Sequence, residues 1–348
     1  MTRREALALL GAGVALGVSR RPGRVFALDQ PVTFPPSAII RTLARDLAPE
    51  SIIAPALFHE HLSIHYPIGT PTSFSDDVAL IVEEVKLAKA DGVGLIVDGG
   101  HPDMKRDLDA LRRISTEADL PIVGSGGYYM QRSYPPEIAA KSADEIADTL
   151  VSEARAGRLG AFGEIGQDGG VLTTDETKVF QAVAKAQVKT GLPIFTHNAY
   201  TGTRPTQNPV PRDAALKQLD VLEAAGGKAS SIAIGHVCCL DDPKAEIAIA
   251  LARRGVFVGF DRVTIALVPD AQKATTIMAM VEAGYASHVL LSSDFYSGRS
   301  LKKNGGPGIA QTVTVFGPML LKAGMSEAML KSILVDNSRR FLAFVPKA

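Results

Sequence analysis

The chain has 348 residues, of which 46% are hydrophobic and 21% are charged, and its formal net charge is zero. This length allows one large domain or two small ones. The balanced charge argues against a broad basic surface for nucleic acid. With no Trp and only 6% aromatic residues, the core has to be built mainly from Ala, Val, Leu and Ile.

The first 27 residues have the pattern of an export signal. Arg3 and Arg4 precede an apolar run at 6–18, and a basic stretch follows that ends in Val-Phe-Ala at Ala27. The run is too short to span a bilayer comfortably, and the arginine pair favours the twin-arginine route over a Sec signal or a short anchor. Cleavage would remove five Arg and one Glu from 37 basic and 37 acidic residues, leaving 28–348 with a net charge of −4. We therefore predict a cleaved signal and a periplasmic or secreted protein.

Eight short apolar runs recur in the rest of the chain, each followed by a polar or Gly-rich stretch and a segment with helical spacing. They lie at 52–61, 94–100, 121–127, 160–166, 193–199, 231–237, 256–262 and 288–294. Continuous apolar runs between helices indicate buried parallel strands. Eight of them predict an α/β fold, a single-domain (β/α)8 TIM barrel over 28–348. A doubly wound open sheet is the alternative, weakened because no GxGxxG follows the first run.

Helical spacing is clearest in three segments, at 75–92, 175–191 and 275–285. The first two begin with Ser or Asp and end at Gly92 and Gly191, which are favourable helix starts and stops. Two Pro/Gly-rich stretches, 201–213 and 297–308, follow predicted strands. In a barrel, they would be loops on the active face.

Side chains suited to metal binding recur where the predicted strands end, which is the active face of a barrel. In a strand, His59 and His61 point to the same side and Glu60 points away. Glu164, His197, His236 and Asp294 occupy the later runs four, five, six and eight. Four imidazoles and two carboxylates on one rim are costly to bury unless cations hold them. The sequence therefore predicts a metal site, whose ligand types accept Zn, Mn, Co or Fe.

Three histidines and both cysteines lie outside this pattern. His65 falls in a loop past the first strand, His101 could line the mouth of the site, and His288 opens the eighth strand at the opposite end. The adjacent Cys238 and Cys239 cannot join distant segments. We expect two buried thiols, with a strained vicinal disulfide as the alternative.

The order HxH, carboxylate, His, His and Asp resembles the amidohydrolase superfamily and, within it, the phosphotriesterase family. The resemblance runs from about residue 45 to the C-terminus. Its landmarks include "IVGSGGYYM" (122–130), "IGHVCCLDD" (234–242), "FVGFDRV" (257–263) and "DNSRRFL" (336–342). It implies a homodimer and a centre of two divalent ions, for which we expect zinc.

The resemblance also implies how the ligands divide. His59, His61 and Asp294 would hold the more buried ion, His197 and His236 the more exposed one, and Glu164 would bridge both together with a hydroxide. The best-known members have a carboxylated lysine at the bridging position, whereas relatives with Gly-Glu-Ile-Gly use glutamate. The chain therefore resembles the glutamate-bridged, lactonase-like variant.

Two further positions depart from the phosphotriesterases proper, which have an acid and a histidine where this chain has Cys239 and Arg262. Tyr129 matches a tyrosine that borders the metal site in lactonase-like members. The resemblance implies that Asp294 takes a proton from the attacking hydroxide, while Arg262 and Tyr129 orient the substrate or stabilise the oxyanion. Arg262 could instead form only a rim salt bridge, and Tyr129 could serve only to pack the wall.

We therefore predict a binuclear metal-dependent hydrolase that cleaves a small lactone or carboxyl ester, with a phosphotriester as a promiscuous substrate. A second possibility is an N-acyl amide hydrolase at the same site. A TatD-type nuclease shares the HxH, the Gly-Glu-Ile-Gly strand and the late Asp, and a non-catalytic metal-binding barrel is also compatible with the pattern. We expect no nucleic-acid partner and, after signal removal, no membrane.

Overall fold

The computed structural model describes residues 32–198, 211–240, 242–264 and 268–347. The signal predicted over 1–27 and most of the loop predicted at 201–213 lie outside these ranges. The export route and the periplasmic location therefore stay predictions. Among the described residues, no helix has both the length and the apolar character needed to cross a bilayer.

A barrel of eight parallel strands confirms the predicted fold, and each strand pairs with the next in chain order. A short antiparallel pair, β1 (Ile40–Arg41) and β2 (Asp46–Leu47), precedes it. The barrel strands are β3 (Ala56–Glu60), β4 (Leu95–Asp98), β5 (Ile122–Gly126), β6 (Ala161–Gly166), β7 (Ile194–His197), β8 (Ile232–Ile234), β9 (Phe257–Phe260) and β10 (Val289–Leu291). Every residue in these eight strands is buried, which is why each strand is almost continuously apolar in the sequence.

The last and first barrel strands meet through bonds made just beyond β10. The N–H of Asp294 donates to the carbonyl of His59 (3.1 Å), and the N–H of His61 donates to the carbonyl of Phe295 (2.9 Å). The N–H of His59 also donates to the hydroxyl of Ser292 (3.0 Å). The barrel seam therefore lies among the residues predicted to bind metal.

Helices separate the strands, as the spacing predicts. They are α1 (Val78–Ala90), α2 (Leu108–Ala118), α3 (Glu137–Ala140), α4 (Ala143–Gly157), α5 (Thr174–Thr190), α6 (Ala214–Ala224), α7 (Glu246–Arg253), α8 (Asp270–Glu282), α9 (Gly317–Lys322), α10 (Glu327–Lys331) and α11 (Ser338–Leu342). Two π-helical segments, Thr312–Phe316 and Ser332–Asn337, adjoin the last three.

Helix caps explain where two predicted helices begin. The carboxylate of Asp77 accepts the N–H of Leu80 (3.0 Å), so α1 begins at Val78, three residues beyond the predicted Ser75. Thr173 and Glu176 form a capping box that starts α5 one residue early. These side chains satisfy N–H groups that a first helical turn leaves unpaired, and they therefore fix its first residue.

A cluster of phenylalanines closes the barrel at the N-terminal ends of its strands. Phe341 of α11 packs edge-on against Phe58 and Phe257, with ring centroids 6.0 and 5.6 Å away. The hydroxyl of Ser338 donates to the carbonyl of Ala56, at the start of β3 (2.9 Å). Because α11 covers this end, the opposite end is left for the functional site.

Phe341→Ala should lower the free energy of unfolding by about 3–5 kcal/mol, because the ring is fully buried and its removal leaves a cavity. Urea unfolding followed by circular dichroism measures the loss. Val345→Ala is the control, since that side chain is 40% exposed. Equal stability of the two variants would contradict the assigned packing of α11.

Candidate metal centre

The structure brings together all six side chains predicted as metal ligands, at the C-terminal end of the barrel. His59 lies in β3 with His61 directly after it, Glu164 lies in β6, His197 ends β7, and His236 and Asp294 follow β8 and β10. All six are buried. Gly99, just after β4, makes room for this cluster, since a Cβ there would lie 3.1 Å from both the His59 and the His61 rings.

Two groups of candidate ligand atoms share Glu164, and a third group comprises His59, His236 and Asp261. His59, His61, Glu164 and Asp294 make one group, and Glu164, His197 and His236 make the other, with all ligand atoms of a group within 4.8 Å of one another. Oε1 of Glu164 lies 3.7 Å from Nε2 of His61, whereas Oε2 lies 3.2 Å from Nδ1 of His197 and 3.3 Å from Nε2 of His236. Oε1 thus faces the first group, and Oε2, which also lies near His59, faces both groups, so that one carboxylate contacts ligands of each, an arrangement that suits a binuclear metal site.

The contact between His59 and Glu164 tests whether these residues fit metal ions. Nε2 of His59 lies 2.9 Å from Oε2 of Glu164. Nevertheless, within the described part of the chain, this buried nitrogen has no partner with hydrogen-bond geometry. Imidazole nitrogens and carboxylate oxygens that converge on one buried point suit a cation between them once the rings are neutral. The buried His, Glu and Asp groups therefore fit two divalent ions.

Asp261, which follows β9, contacts one histidine of each ligand group, on the side of the ring that does not face Glu164. Its Oδ2 lies 2.8 Å from Nδ1 of His59, and its Oδ1 lies 3.0 Å from Nδ1 of His236. Both rings therefore present Nε2 to Glu164. Carboxylates that bind the outer nitrogen of a ligating histidine fix its tautomer and direction. Asp261 has no predicted role; the usable signal in the sequence is that it directly follows a predicted strand, as the candidate ligands do.

Burial and neighbouring charges shift the ionisation of this cluster in different directions. Burial raises the pKa of Glu164, but His59 and His197 outweigh it and hold that pKa well below the usual value. Burial lowers the pKa of His197 to about 4 despite the nearby Glu164. In His236, burial is outweighed by Asp261, Glu164 and Asp294, which raise the pKa to about 10. Glu164 and His197 are therefore already in the protonation states that bind cations at neutral pH, whereas His236 has to release a proton, as does His59, whose pKa Glu164 and Asp261 hold well above its usual value despite burial.

His236 and Asp294 both have a left-handed backbone, with φ of 55° and 49°. Outside glycine, such conformations cost about 1–3 kcal/mol and persist where the surroundings impose them. For His236, the backbone N–H donates to Oδ1 of Asp261 (2.7 Å). Asp261 therefore fixes both the ring and the backbone of this residue.

Tyr129 and Arg262 border the candidate centre, as predicted. Both are buried and line the space in front of Glu164 and Asp294. Nε of Arg262 lies 3.1 Å from Oδ2 of Asp294, so Arg262 does form a salt bridge, and its partner is a candidate ligand. The Tyr129 hydroxyl lies 3.5 Å from Nδ1 of His197, and the two rings meet edge-on. Among the described residues, the wall also includes His61, Ile64, Tyr66, Met104 and Tyr296.

The three histidines outside the predicted pattern also lie outside the cluster. Nε2 of His65 pairs with Asp76 at 2.7 Å, and Nδ1 of His288 lies 2.9 Å from the Val256 carbonyl. His101 is fully buried beside Asp103 and, among the described residues, does not line the wall in front of the centre.

Cys238 and Cys239 are buried and are not joined by a disulfide. The sulfur of Cys238 accepts the N–H of Arg262 (3.3 Å). This thiol therefore supports the backbone of a residue that borders the candidate centre.

Asp261→Asn should weaken Zn²⁺ binding about 10–100-fold, because an amide cannot accept from both histidine rings. Titration calorimetry on metal-free protein measures the change. Asp242→Asn is the matched control, since that buried carboxylate accepts the N–H groups of Ile247 and Ala248 at the start of α7. Equal zinc affinities in the two variants would contradict the role assigned to Asp261.

Comparison with known proteins agrees with the site and the fold. The sequence model of the phosphotriesterase family matches residues 43–342. The phosphotriesterase homology protein of Escherichia coli (strain K12) is 30% identical over 82% of this chain and 96% of its own length. The N-acetyltaurine hydrolase of Bos taurus is 28% identical over 78% of this chain and 79% of its own.

One solved structure with the same fold is the lactonase Lmo2620 from Listeria monocytogenes. It has a TM-score of 0.72 and 23% identity, and the match covers 88% of this chain and 99% of that one. The family match extends over most of the chain and includes all six residues of the cluster. The chain therefore belongs to the phosphotriesterase family and is a metal-dependent hydrolase.

Proposed function

We propose that the protein hydrolyses a small lactone or carboxyl ester at a centre of two divalent ions, with zinc as the metal. The proposed ligands are His59, His61, Glu164, His197, His236 and Asp294. Bound cations of this kind lower the pKa of water to near neutrality and polarise a carbonyl oxygen. The contributions of the chain itself follow from the positions of Asp294, Arg262 and Tyr129.

The position of Asp294 is the observation that carries the proposal. Its Oδ1 lies 3.2 Å from Nε2 of His61, within the first ligand group, and its Oδ2 lies 3.1 Å from Nε of Arg262 on the pocket wall. One oxygen therefore faces the candidate metal position and the other faces the substrate space. From there, Asp294 takes the proton of the attacking water and passes it to the leaving group.

Arg262 is fixed beside the position where negative charge develops on the substrate. Its Nη2 donates to the hydroxyl of Tyr296 (3.4 Å), and its guanidinium lies 5.6 Å from the centre of that ring. Its backbone carbonyl accepts from the buried ammonium of Lys273 (2.7 Å). A cation already held in place stabilises an oxyanion without reorganising during the reaction. Tyr129, beside His197, supplies a hydroxyl for the second oxygen of an ester.

An N-acyl amide is the second candidate substrate, favoured by the similarity to an N-acetyltaurine hydrolase. The same side chains would serve, but an amine leaves only after its nitrogen is protonated. Asp294 would then have to deliver its proton to that nitrogen.

A nuclease and a non-catalytic barrel have less support than either hydrolase. Membership of the phosphotriesterase family argues against the TatD-type nuclease. The presence of all six candidate ligands argues against a barrel that has lost catalysis. The homodimer, the zinc and the periplasmic location remain proposals.

A substrate panel tests the proposal on the metal-loaded protein. Proton release would be followed for acyl lactones, carboxyl esters and a phosphotriester, and amine release for N-acetyltaurine and N-acyl amino acids. We expect lactones or esters to turn over fastest and the phosphotriester slowly, with all activity lost in Glu164→Gln. Turnover of the amides alone would establish the second candidate. A protein that binds two metals yet cleaves none of these substrates would contradict both candidates.

Arg262→Gln should lower kcat/KM for the preferred substrate about 10²–10³-fold while both metals stay bound, because one group that stabilises the oxyanion is lost. Steady-state kinetics with metal analysis of the same sample measures this. Arg113→Gln is the control, since the side chain of Arg113 is about half exposed and pairs with Glu117 within α2. Unchanged turnover would reduce Arg262 to a structural partner of Asp294.

Asp294→Asn should reduce kcat about 10²–10⁴-fold, since an amide cannot take the proton of the attacking water. Kinetics at saturating metal separates this loss from weaker metal binding. Near-normal turnover at full metal occupancy would contradict the role of Asp294 as a base.

A further inference from the structure

The buried carboxylate of Glu60 joins the first barrel strand to the segment that carries Asp294. Its Oε1 accepts the hydroxyl of Ser292 (2.8 Å) and the N–H of Ser293 (2.9 Å). Its Oε2 accepts the hydroxyl of Ser293 (2.7 Å) and the N–H of Phe295 (2.8 Å). Glu60 lies between two candidate ligands in sequence but points away from the metal centre, so these four bonds are its contribution to the site.

Asp294 lies in the middle of the segment that Glu60 binds. The N–H groups on either side of it, from Ser293 and Phe295, donate to Glu60, and its own N–H donates to the carbonyl of His59. These three bonds define the direction of the chain at a residue whose φ is 49°. Aspartate tolerates this left-handed conformation better than most residues, but it does not adopt it unless the neighbouring chain is held.

We propose that Glu60 is a positioning residue, whose carboxylate holds the segment 292–295 so that Asp294 keeps its left-handed backbone and directs its carboxylate to His61. This inference rests on the proposed function, because it takes Asp294 to act at the metal centre. Beyond that function, Glu60, which lies between His59 and His61, would fix the position of Asp294, a ligand more than 200 residues later in the chain.

The four bonds require two acceptor oxygens, which a glutamine does not have. Four donors converge on two oxygens, and two of the donors are backbone N–H groups, which cannot reverse their polarity. A glutamine has one oxygen and one NH2 group. The serine hydroxyls can rotate to accept from that NH2, but the N–H of either Ser293 or Phe295 then loses its acceptor. The bond that is lost lies directly beside Asp294.

If Glu60 only stabilises the fold, Glu60→Gln should give a different result than if Glu60 also positions Asp294. Both roles predict a lower melting temperature, but only the positioning role predicts weaker metal binding at the group that contains Asp294. Glu176→Gln is the matched control, because that buried carboxylate accepts the N–H groups of Asp168 (2.7 Å), in the loop after β6, and of Thr173 (2.9 Å), the N-cap of α5, and neither partner adjoins a candidate ligand in sequence.

The experiment titrates Co²⁺ into the metal-free full-length protein and follows both the heat and the visible absorption of bound cobalt. We expect Glu60→Gln to weaken one of two cobalt sites about 10–100-fold and to change its absorption bands, while Glu176→Gln leaves both unchanged. Ser293→Ala, which removes one of the four bonds, should shift affinity in the same direction by less. If Glu60→Gln does not fold, the cobalt titration of Ser293→Ala replaces it as the test.

Two outcomes overturn the inference. One is a variant at Glu60, or at Ser293 if needed, that loses stability but keeps wild-type cobalt affinity and absorption. The other is wild-type protein that binds no cobalt, which would contradict the proposed function as well. If the wild type binds two cobalt ions but cleaves none of the panel substrates, only the proposed substrates fail, and the comparison of variants still decides the role of Glu60.

Discussion

The burial of the Glu164 carboxylate among four histidine rings is the constraint on which the rest of the site depends. A buried carboxylate is costly unless opposite charge or hydrogen bonds compensate it. The histidines around Glu164 already hold its pKa low, so its negative charge persists at neutral pH. Two divalent cations would supply the remaining compensation, and both candidate groups are built around this one side chain. Asp261 in turn orients two of the histidine rings toward it.

Barrel closure and the metal centre share the same residues. The contacts between β3 and the segment after β10 include the backbone of His59, His61 and Asp294. In a barrel, closing the seam brings the first and last strands together, which places ligands from opposite ends of the chain side by side. The fold therefore assembles the first ligand group as a direct consequence of forming the barrel. At the opposite end, phenylalanines pack against α11, and these contacts stabilise the fold without contributing to the metal centre.

The sequence was sufficient to predict the barrel and to select the six clustered side chains. Strands that are buried on both faces leave continuous apolar runs, and histidines or acids at their ends stand out against such runs. The supporting residues could not be predicted in the same way. Asp261 contacts His59 across 202 positions, and Glu60 contacts Ser292 across 232 positions, so no local spacing signals either bond. The three predicted helix starts were displaced by one to five residues, in part because caps such as Asp77 depend on individual hydrogen bonds.

Anomalous X-ray diffraction at the zinc absorption edge, from crystals grown with Zn²⁺, tests the central claim most directly. We predict two anomalous peaks about 3.5–4 Å apart. Glu164 should contact both, His61 and Asp294 one, and His197 the other. A single peak, or peaks outside the cluster, would contradict the binuclear centre from which the proposed hydrolysis was derived.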